Sequence, residues 1–385
     1  MENSNEKKDE IGQNSNPETE RINSTKTHEG PINNSELEES TYEEINEIIK
    51  NIKSNKAADP GEILLEYMKN GGLTLKQKIH QLIMKIWKHE KIPCEWSEGI
   101  LCPIYKKGGR KQCNNYRGIS LLNITYNIFA LLLYNWLNKI TEPEIGNYQM
   151  GFRSNRSTTD NIFIVRQVYK KCHVYNIDLH NIFIDFPQAF DTVNRDVIYN
   201  SWIKHNIPDK LIKLIKLTMQ WTKMKVKVNN SYSEWFKMKT VVRQGDPLSA
   251  LLFSVVLDSV ITNFEVQDSL SPTARLKQIC AYTDDIVIIG RAKQILIDTF
   301  CKIKHEVLNA GLIVNNNKTK YLYCTRKTIH PTYINTGEEQ FEQVNSFKYL
   351  GTMVNTDNSI EEEIMEREAA GNRAYRVHKN YIHQN

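Results

Sequence analysis

The sequence predicts an α+β fold built around a mostly antiparallel sheet. Asp284 and Asp285 stand between apolar stretches, which is typical of the tight turn of a β-hairpin. Polar and apolar residues alternate strictly over 223–228, and the Asn-Asn pair that follows predicts a second hairpin. Residues 73–90 instead repeat apolar side chains at helical spacing. Hairpins combined with amphipathic helices favour an antiparallel sheet that is covered by helices.

The acidic turn itself indicates a metal site. Like charges held side by side are unfavourable at neutral pH unless a cation lies between them, so this pair suits a divalent metal. A solvated Asp-Asp turn explains the pair when it is considered alone. Asp185 shifts the balance, because it ends the apolar run 181–184 in the same way. We expect Asp185, Asp284 and Asp285 to converge and to hold two Mg²⁺ ions, or Mn²⁺, about 4 Å apart for phosphoryl transfer.

The charge of the chain is unevenly distributed. Its 385 residues carry a formal net charge of +5. Residues 1–40 hold ten acidic and four basic side chains, a net charge of −6, so the remaining 345 residues carry +11 by difference. This segment has too few apolar residues to bury a face, which predicts a disordered acidic tail. The basic remainder suits a polyanionic partner.

The cysteines and the apolar segments exclude several classes of protein. The seven cysteines lack the C-x-x-C and Cys/His spacings of zinc sites, so we expect free thiols in a reducing compartment. The sequence has neither an N-terminal signal segment nor an apolar run of about 18 residues. These absences predict an intracellular protein without a membrane partner, in the nucleus or the cytoplasm.

The remaining elements follow from local patterns. Thr41 and Glu44 form a capping-box pattern before isoleucines at helical spacing, which predicts a helix there. Further helices are predicted at 73–90, from about Ser120, at 193–205, 208–220, 247–257, 291–310 and 359–380. Strands are predicted at 100–105, 181–184, 223–228, 235–241 and 321–324.

Five short motifs resemble, in their order and spacing, the successive motifs of reverse transcriptases. They are FIDFPQAFD (183–191), VRQGDPLS (242–249), YTDD (282–285), GLIVNNNKTK (311–320) and FKYLG (347–351). Among reverse transcriptases, the sequence is most similar to those of LINE-type retrotransposons, which lack long terminal repeats. The resemblance implies a right-hand polymerase with fingers, a palm with a mostly antiparallel sheet, and a truncated thumb.

The resemblance also implies a division of the chain. After the acidic tail of residues 1–40, residues 41–180 would form an N-terminal extension and the fingers. Residues 181–355 would form the palm with the reverse transcriptase motifs, and 356–385 would begin a thumb helix.

In the expected fingers, the resemblance implies contacts to the incoming nucleotide and to the template. The basic tip 106–111 is either a finger that closes on phosphates through Lys106 or a solvated turn. The motif NNYRGISLLN places Arg117 on the incoming triphosphate, whose oxygens a planar guanidinium binds bidentately. Phe152 and Arg153, in a Gly-Phe-Arg loop, would stack on and hold a template strand.

Three residues of the expected palm are implied to bind the nucleotide. Phe190 lies where the family places an aromatic ring that excludes a 2′-hydroxyl, which implies dNTP as the substrate. Gln244 would touch the sugar or the templating pair, and Gly245 would let the backbone approach it. Val241 and Ala250 replace the Gly and Pro that the family usually has around this loop.

Downstream motifs complete the expected site. By resemblance, Lys318 is the acid that protonates the departing pyrophosphate. Tyr282, within the acidic turn, would contact template or primer. Tyr349, Leu350 and Gly351 match the hairpin that grips the primer in the family.

The leading hypothesis is RNA-directed DNA polymerisation, in which a DNA primer 3′-hydroxyl attacks the α-phosphate of a dNTP on an RNA template. The alternative is a truncated, catalytically impaired element remnant that only binds nucleic acid. The short thumb, the changed Gln244 loop and the Thr of the Y-x-D-D turn favour that alternative, whereas the intact acids oppose it. A maturase-like or other cellular reverse transcriptase is a third hypothesis, which the motifs NYRGISLL and GFRSNRSTTD disfavour. The sequence predicts no particular protein partner.

Nucleic-acid binding is expected to depend strongly on salt. The basic tip 106–111, the alternating Lys223, Lys225 and Lys227 and the net charge of +11 supply cations, whereas the thumb is expected to be too short to clamp a duplex. Contacts of lysine with phosphate release counterions, so affinity falls as salt rises.

Overall fold

Helices and short strands alternate along the chain of the computed structural model. The described residues are 37–106, 108–186, 195–220, 222–229, 231–238, 243–268, 277–327 and 333–382. The helices are α1 Tyr42–Asn51, α2 Leu65–Asn70, α3 Leu73–His89, α4 Ile124–Thr141, α5 Thr158–Val174, α6 Arg195–Lys204, α7 Asp209–Thr218, α8 Ser249–Asp268, α9 Lys293–Asn309 and α10 Glu361–Ile382. The strands are β1 Glu98–Tyr105, β2 Tyr116–Leu122, β3 Leu179–Ile184, β4 Thr222–Val228, β5 Ser231–Tyr232, β6 Phe236–Met238, β7 Lys277–Tyr282, β8 Asp285–Gly290, β9 Lys320–Cys324, β10 Tyr333–Asn335, β11 Gln340–Glu342, β12 Ser346–Tyr349 and β13 Thr352–Asn355.

Several sequence predictions fall outside the described residues. These are the disordered state of residues 1–36, the position of Phe190 and the change at Val241. Lys107 of the basic tip and Asn230 of the second predicted turn are also outside them. What the sequence predicts for these positions stays a prediction.

A four-stranded antiparallel sheet, the central sheet, has the strand order β7-β8-β3-β9. Residues 286–289 of β8 form a continuous apolar run because both faces of the sheet are buried there. On one face, Ile182 and Ile288 belong to a core that includes side chains of α8 and α9. On the other face, Phe183 and Val287 pack in a second core with α5 and the β12–β13 hairpin. Alternate residues of each strand therefore enter different cores.

A second, five-stranded sheet has the order β2-β1-β4-β5, with β6 also paired to β4. Strands β1 and β4 are parallel, and the other pairs are antiparallel. The helix expected from about Ser120 begins instead at Ile124, where Asn123 caps it by accepting the backbone N–H of Thr125 at 2.9 Å. Residues Tyr116–Leu122 pair with β1 as strand β2, because that hairpin satisfies their backbone groups across the sheet.

The N-terminal helices pack on α4. The Thr41 hydroxyl accepts the backbone N–H of Glu44 at 3.1 Å, as the sequence predicts for the start of α1. Trp87 of α3 and Trp136 of α4 meet edge to face with ring centres 5.4 Å apart. The indole of Trp136 also donates to Glu44 at 3.0 Å. These contacts fix α1 and α3 against the main core.

The thiols and the helices agree with the sequence. All seven cysteines are free. Burial raises the pKa of Cys280 and Cys324 to about 12, so these two thiols stay protonated at neutral pH. Among the described helices, none combines the length and the apolar character needed to cross a membrane. The fold as a whole confirms the predicted α+β class with a mostly antiparallel central sheet.

Candidate active site

The acidic turn joins two strands of the central sheet. Tyr282 at the end of β7 pairs with Asp285 at the start of β8, so only Thr283 and Asp284 form the turn. Thr283 has φ of +57°, a left-handed conformation that is uncommon for a β-branched residue. The predicted hairpin is thus present, with its turn held in an unusual backbone conformation.

Asp185 follows directly on β3, the neighbour of β8. The last pair of these strands is Ile184 with Ile286, so Asp185 emerges at the end of the sheet that carries the acidic turn. Its carboxylate accepts the ammonium of Lys318 at 3.1 Å and the side-chain amide of Asn315 at 3.0 Å. The backbone N–H of Asn315 also donates to the Asp185 carbonyl at 2.9 Å.

Burial and neighbouring charges raise the pKa values of the two acids of the turn. Partial burial raises the pKa of Asp285 to about 6, and the charges of Asp284 and Asp185 add to this shift while Lys318 opposes it. Burial also raises the pKa of Asp284, to which Asp185 contributes, whereas Arg117 and Lys318 lower it. The acids predicted from the sequence therefore lie within range of each other's charge.

The carboxylates fit a divalent cation by their chemistry. Hard cations such as Mg²⁺ take oxygen ligands, and Asp185, Asp284 and Asp285 supply such ligands at one end of the central sheet. Within the described part of the chain, no three His, Cys, Asp or Glu side chains already form a closed metal-binding group. The Asp185 carboxylate is instead engaged by Lys318.

The second sheet carries exposed cationic residues, of which Arg117 lies near the acids. Arg117 on β2 is exposed and is close enough to lower the pKa of Asp284. Lys106 is exposed at the end of β1, where its backbone N–H donates to the carbonyl of Asn115 at 2.8 Å. Arg110 at the same tip lies over the ring of Tyr105, 5.5 Å from its centre. The described residues of the tip, Lys106 and 108–111, therefore expose positive charge.

The loop containing Gln244 and Gly245 is held against β2. The backbone N–H of Ser120 donates to the Gln244 carbonyl at 2.8 Å. Gly245 has φ of +109°, and an added Cβ would lie 2.6 Å from the Ser120 carbonyl oxygen. The close backbone approach predicted for Gly245 is thus made to Ser120 in this structure.

Arg243 stabilises that loop from within the protein. The sequence did not single out this residue. Its guanidinium, 4% exposed, donates to the Thr218 carbonyl at 3.0 Å and to the Asp246 carboxylate at 2.9 Å. It also donates to the hydroxyls of Thr222 and Tyr126, and Tyr126 donates to Asp246. A buried charge with this many partners fixes the loop between α7, α4 and β4.

The role predicted for Arg153 as a template contact is corrected by its surroundings. Its side chain is 7% exposed and forms a salt bridge with Glu142 at 3.0 Å. It also donates to the carbonyls of Gly146, Gln149 and Glu142. The Arg153 guanidinium therefore makes its hydrogen bonds within the protein and has a structural role. Phe152 beside it is 53% exposed, so its ring is free to meet a base.

The predicted primer-grip residues form the turn between β12 and β13. Tyr349 is 2% exposed and packs on Phe183, with ring centres 5.4 Å apart. The side chain of Tyr349 therefore belongs to the core and cannot contact a primer, which corrects that prediction. Leu350 and Gly351 form the turn in left-handed conformations, and Gly351 is exposed. Tyr282 is half-buried at the end of β7.

A cationic and aromatic surface lies on β4, β5 and β6. Lys223 and Lys237 are exposed and directly opposite each other on paired strands. The ammonium of Lys225 lies 4.2 Å from the ring centre of Tyr232 and 5.0 Å from that of Trp235. Both rings are exposed. Like charges in register destabilise a sheet, so this surface is suited to a polyanion that neutralises them.

Two further residues of the site escaped the sequence interpretation. Asn315 holds both the carboxylate and the carbonyl of Asp185. Gln149 is 1% exposed and bonds to the backbone of Thr283 in the acidic turn. Asn315 stands in the motif GLIVNNNKTK and Gln149 just precedes Gly-Phe-Arg, so their positions beside quoted motifs were the available signal.

Comparison with known proteins identifies related sequences. A family model described as "Reverse transcriptase (RNA-dependent DNA polymerase)" matches residues 104–354. The chain is 22% identical over 303 residues to a Nasonia vitripennis protein named "Retrovirus-related Pol polyprotein from type-1 retrotransposable element R2", covering 76% of this chain and 29% of that protein. It is 28% identical over 290 residues to the "Probable RNA-directed DNA polymerase from transposon BS" of Drosophila melanogaster, covering 71% and 31%.

Another relative and a solved structure extend the comparison. The "Transposon TX1 uncharacterized 149 kDa protein" of Xenopus laevis is 22% identical over 258 residues, covering 65% of this chain and 19% of that protein. The chain thus spans between 19% and 31% of the length of these three relatives. Apo telomerase from Candida tropicalis, truncated from its C-terminal domain, superposes with a TM-score of 0.48 at 15% identity, covering 76% of this chain and 66% of that one.

Proposed function

The chain belongs to the reverse transcriptase family, and we propose that it extends a DNA primer on an RNA template by transferring nucleotides from dNTPs. Its resemblance to the enzymes of LINE-type retrotransposons agrees with the names of its relatives. The attacking group is the primer 3′-hydroxyl, the α-phosphate is attacked, and pyrophosphate leaves.

The placement of Asp185 beside the acidic turn carries this proposal. Asp185, Asp284 and Asp285 come from neighbouring strand ends. In addition to burial, the charge of Asp185 raises the pKa of Asp284 and Asp285, and the charge of Asp284 raises the pKa of Asp285. Carboxylates on a rigid sheet suit nucleotidyl transfer, which needs positioning and charge stabilisation more than covalent chemistry.

Asp185 and Asp284 would hold the divalent cations, with Asp285 supporting them. Members of this family generally use divalent metal ions, and we propose two Mg²⁺ ions, which Mn²⁺ can replace. Bound there, the ions would neutralise the acids and stabilise charge on the attacking and leaving oxygens. The acids themselves fix where the primer end and the triphosphate meet.

The cationic residues would handle the triphosphate. Arg117 is exposed and close to Asp284, which suits a contact to the phosphates of the nucleotide. Lys106 supplies a further exposed charge at the hairpin tip. The ammonium of Lys318, 62% exposed and bonded to Asp185, is the proposed proton donor to pyrophosphate. Gln244 would touch the sugar or the templating pair, and Phe190 would exclude ribonucleotides.

The template and the primer are the proposed macromolecular partners. Phe152 presents an exposed ring beside the acidic turn, which suits stacking on a template base. Tyr282 would contact template or primer, and Leu350 and Gly351 would approach the primer through their backbone. The surface of Lys223, Lys225, Lys237 and the neighbouring aromatic rings supplies positive charge for the strand that leaves the site.

A primer-extension assay tests the proposal. On a poly(rA) template with an oligo(dT) primer, dTTP and Mg²⁺, the protein is expected to incorporate nucleotide. Asp284→Asn should lose at least about a thousand-fold of that activity, because several kcal/mol of charge stabilisation disappear. The matched control is Asp298→Asn, which makes the same change at an exposed position of α9 and should retain activity.

The alternative hypothesis predicts the opposite result. If the wild-type protein incorporates nothing at saturating concentration but still binds the template-primer duplex, the binding-only remnant is the better account. Equal activity of wild type and Asp284→Asn would show that the measured incorporation does not come from this site.

A further inference from the structure

A short segment of the Gly-Phe-Arg loop runs beside strand β7 and ends at the acidic turn. The backbone N–H of Met150 donates to the Ala281 carbonyl at 2.9 Å, and the N–H of Ala281 donates to the Tyr148 carbonyl at 2.8 Å. Gln149 thus pairs with Ala281 as an isolated parallel bridge. This segment, residues 148–151, we call the strap.

The side chain of Gln149 continues the pairing where the backbone stops. Its amide oxygen accepts the N–H of Thr283 at 2.9 Å, and its amide nitrogen donates to the Thr283 carbonyl at 3.4 Å. The same oxygen accepts the N–H of Gly151 at 2.8 Å. One buried amide therefore satisfies both backbone groups of the residue that precedes Asp284.

Thr283 needs this support for two reasons. Its positive φ is unfavourable for a β-branched side chain and persists only where surrounding contacts determine it. Thr283 is also 3% exposed, so water cannot replace the lost partners of its N–H and carbonyl. Without the Gln149 amide, the turn would relax towards another conformation and carry the Asp284 carboxylate with it.

The strap is anchored at its other end to the core. Asp258 of α8, 2% exposed, accepts the N–H of Gly146 at 2.8 Å and the hydroxyl of Tyr148 at 2.5 Å. Arg153 donates to the carbonyls of Gly146 and Gln149. Helix α8 is itself packed in the main core. The strap therefore connects a rigid element to the acidic turn.

We propose that Gln149 is a positioning residue that sets the placement of the acidic turn through its amide. The proposal rests on the function proposed above, because it gives the Asp284 carboxylate its catalytic orientation. Both halves of the amide are required, one as acceptor and one as donor. The length of the side chain is also required, since the amide must reach from the strap to the backbone of Thr283.

Hydrogen–deuterium exchange tests the contact without relying on activity. In Gln149→Met, which keeps the size of the side chain but lacks its hydrogen bonds, peptides covering 281–285 should exchange at least about ten-fold faster than in the wild type. Peptides within 286–290 should be unchanged. Gln294→Met is the matched control, because Gln294 is exposed on α9 and bonds only to Asp298 among the contacts of its side chain in the described residues.

Kinetics then separates positioning from binding. For Gln149→Met, kcat for primer extension should fall about ten- to hundred-fold while KM for dTTP stays within two-fold. Gln149→Asn keeps the amide but is one methylene shorter, so it should resemble Gln149→Met and not the wild type. Wild-type kcat in Gln149→Asn would contradict the requirement for reach.

The outcomes distinguish this proposal from the proposed function. If the wild-type protein has no polymerase activity, the proposed function fails, while the exchange experiment still decides whether Gln149 orders the turn. Unchanged exchange over 281–285 in Gln149→Met would overturn the proposal. Loss of folding in both variants would also overturn it, because Gln149 would then serve the stability of the core instead of the turn.

Discussion

The central sheet and the second sheet treat their charged residues in opposite ways. At the central sheet, each acid emerges from a strand buried on both faces, and Asn315 and Gln149 hold the backbone around Asp185 and the acidic turn. On the second sheet, Lys223 and Lys237 lie opposite each other on paired strands and are exposed to solvent. Neighbouring side chains hold the backbone around the acids of one sheet, whereas these lysines of the other are open to solvent. This difference is what the proposed catalytic and nucleic-acid-binding roles require.

Two arginines bring out the same contrast within a short distance of the site. Arg243 is buried among partners from three elements. Arg117 is exposed, and its guanidinium donates no hydrogen bond to any of the described residues. One stabilises the loop, and the other is available to a ligand. Substitutions that remove equal charge from each should therefore have different consequences.

The largest effect is expected for Arg243→Met. It leaves the buried Asp246 carboxylate without its cation and should lower the free energy of unfolding by about 3–5 kcal/mol. Arg117→Met should change stability by less than about 0.5 kcal/mol but raise KM for dTTP about ten-fold or more. Urea unfolding and steady-state primer extension measure the two quantities. Equal losses of stability in both variants would contradict the distinction between a structural Arg243 and a ligand-binding Arg117.

A smaller effect is expected for Gly151→Ala at the strap. The added Cβ would lie 2.5 Å from the backbone nitrogen of Thr283, so the turn or the strap must move, at a cost of about 1–3 kcal/mol. Gly371→Ala on the exposed surface of α10 is the matched control, because its Cβ would meet nothing within 4 Å. The melting temperature and the rate of primer extension should both fall in Gly151→Ala and not in the control. A harmless Gly151→Ala would mean that the strap does not constrain the turn.

The smallest effect, and one of opposite sign, is expected for Lys237→Gln. Removing one of two facing like charges should raise stability by about 0.2–1 kcal/mol. It should also weaken binding to an RNA/DNA hybrid and lower the salt slope of log K by about 0.9 if the lysine contacts a phosphate. Lys139→Gln on α4 is the control with the same charge change. An unchanged salt slope would place the nucleic acid elsewhere.

The sequence predicted those parts of the molecule in which neighbouring residues decide the structure. The acidic turn and Asp185 follow from apolar runs that end in an acid, and both are present as predicted. The start of the helix predicted from about Ser120 was wrong, because Leu121 and Leu122 are apolar like the helix that follows and only pairing with β1 makes them part of a strand.

The side-chain contacts of the site could not be predicted in the same way. Gln149 reaches Thr283 across 134 positions of sequence, and Arg243 reaches Tyr126 across 117. No local pattern carries such distances. Arg153 misled for a different reason. Its partners lie only 4 to 11 positions away, but no sequence pattern shows that this loop arginine is enclosed by Glu142 and three backbone carbonyls.

The contact between Gly151 and Thr283 has a consequence for how this protein can change through mutation. The hydroxyl of Thr283 is buried without a hydrogen-bond partner among the described residues, so the side chain adds little that Asn or Gly would not provide at the same positive φ. Gly151 faces backbone, and no exchange at position 283 makes room for a Cβ there. Position 283 should therefore tolerate more substitutions than Gly151, although Gly151 lies in a loop far away in sequence. A substitution at Gly151 should be corrected by reversion and not by a second change at position 283.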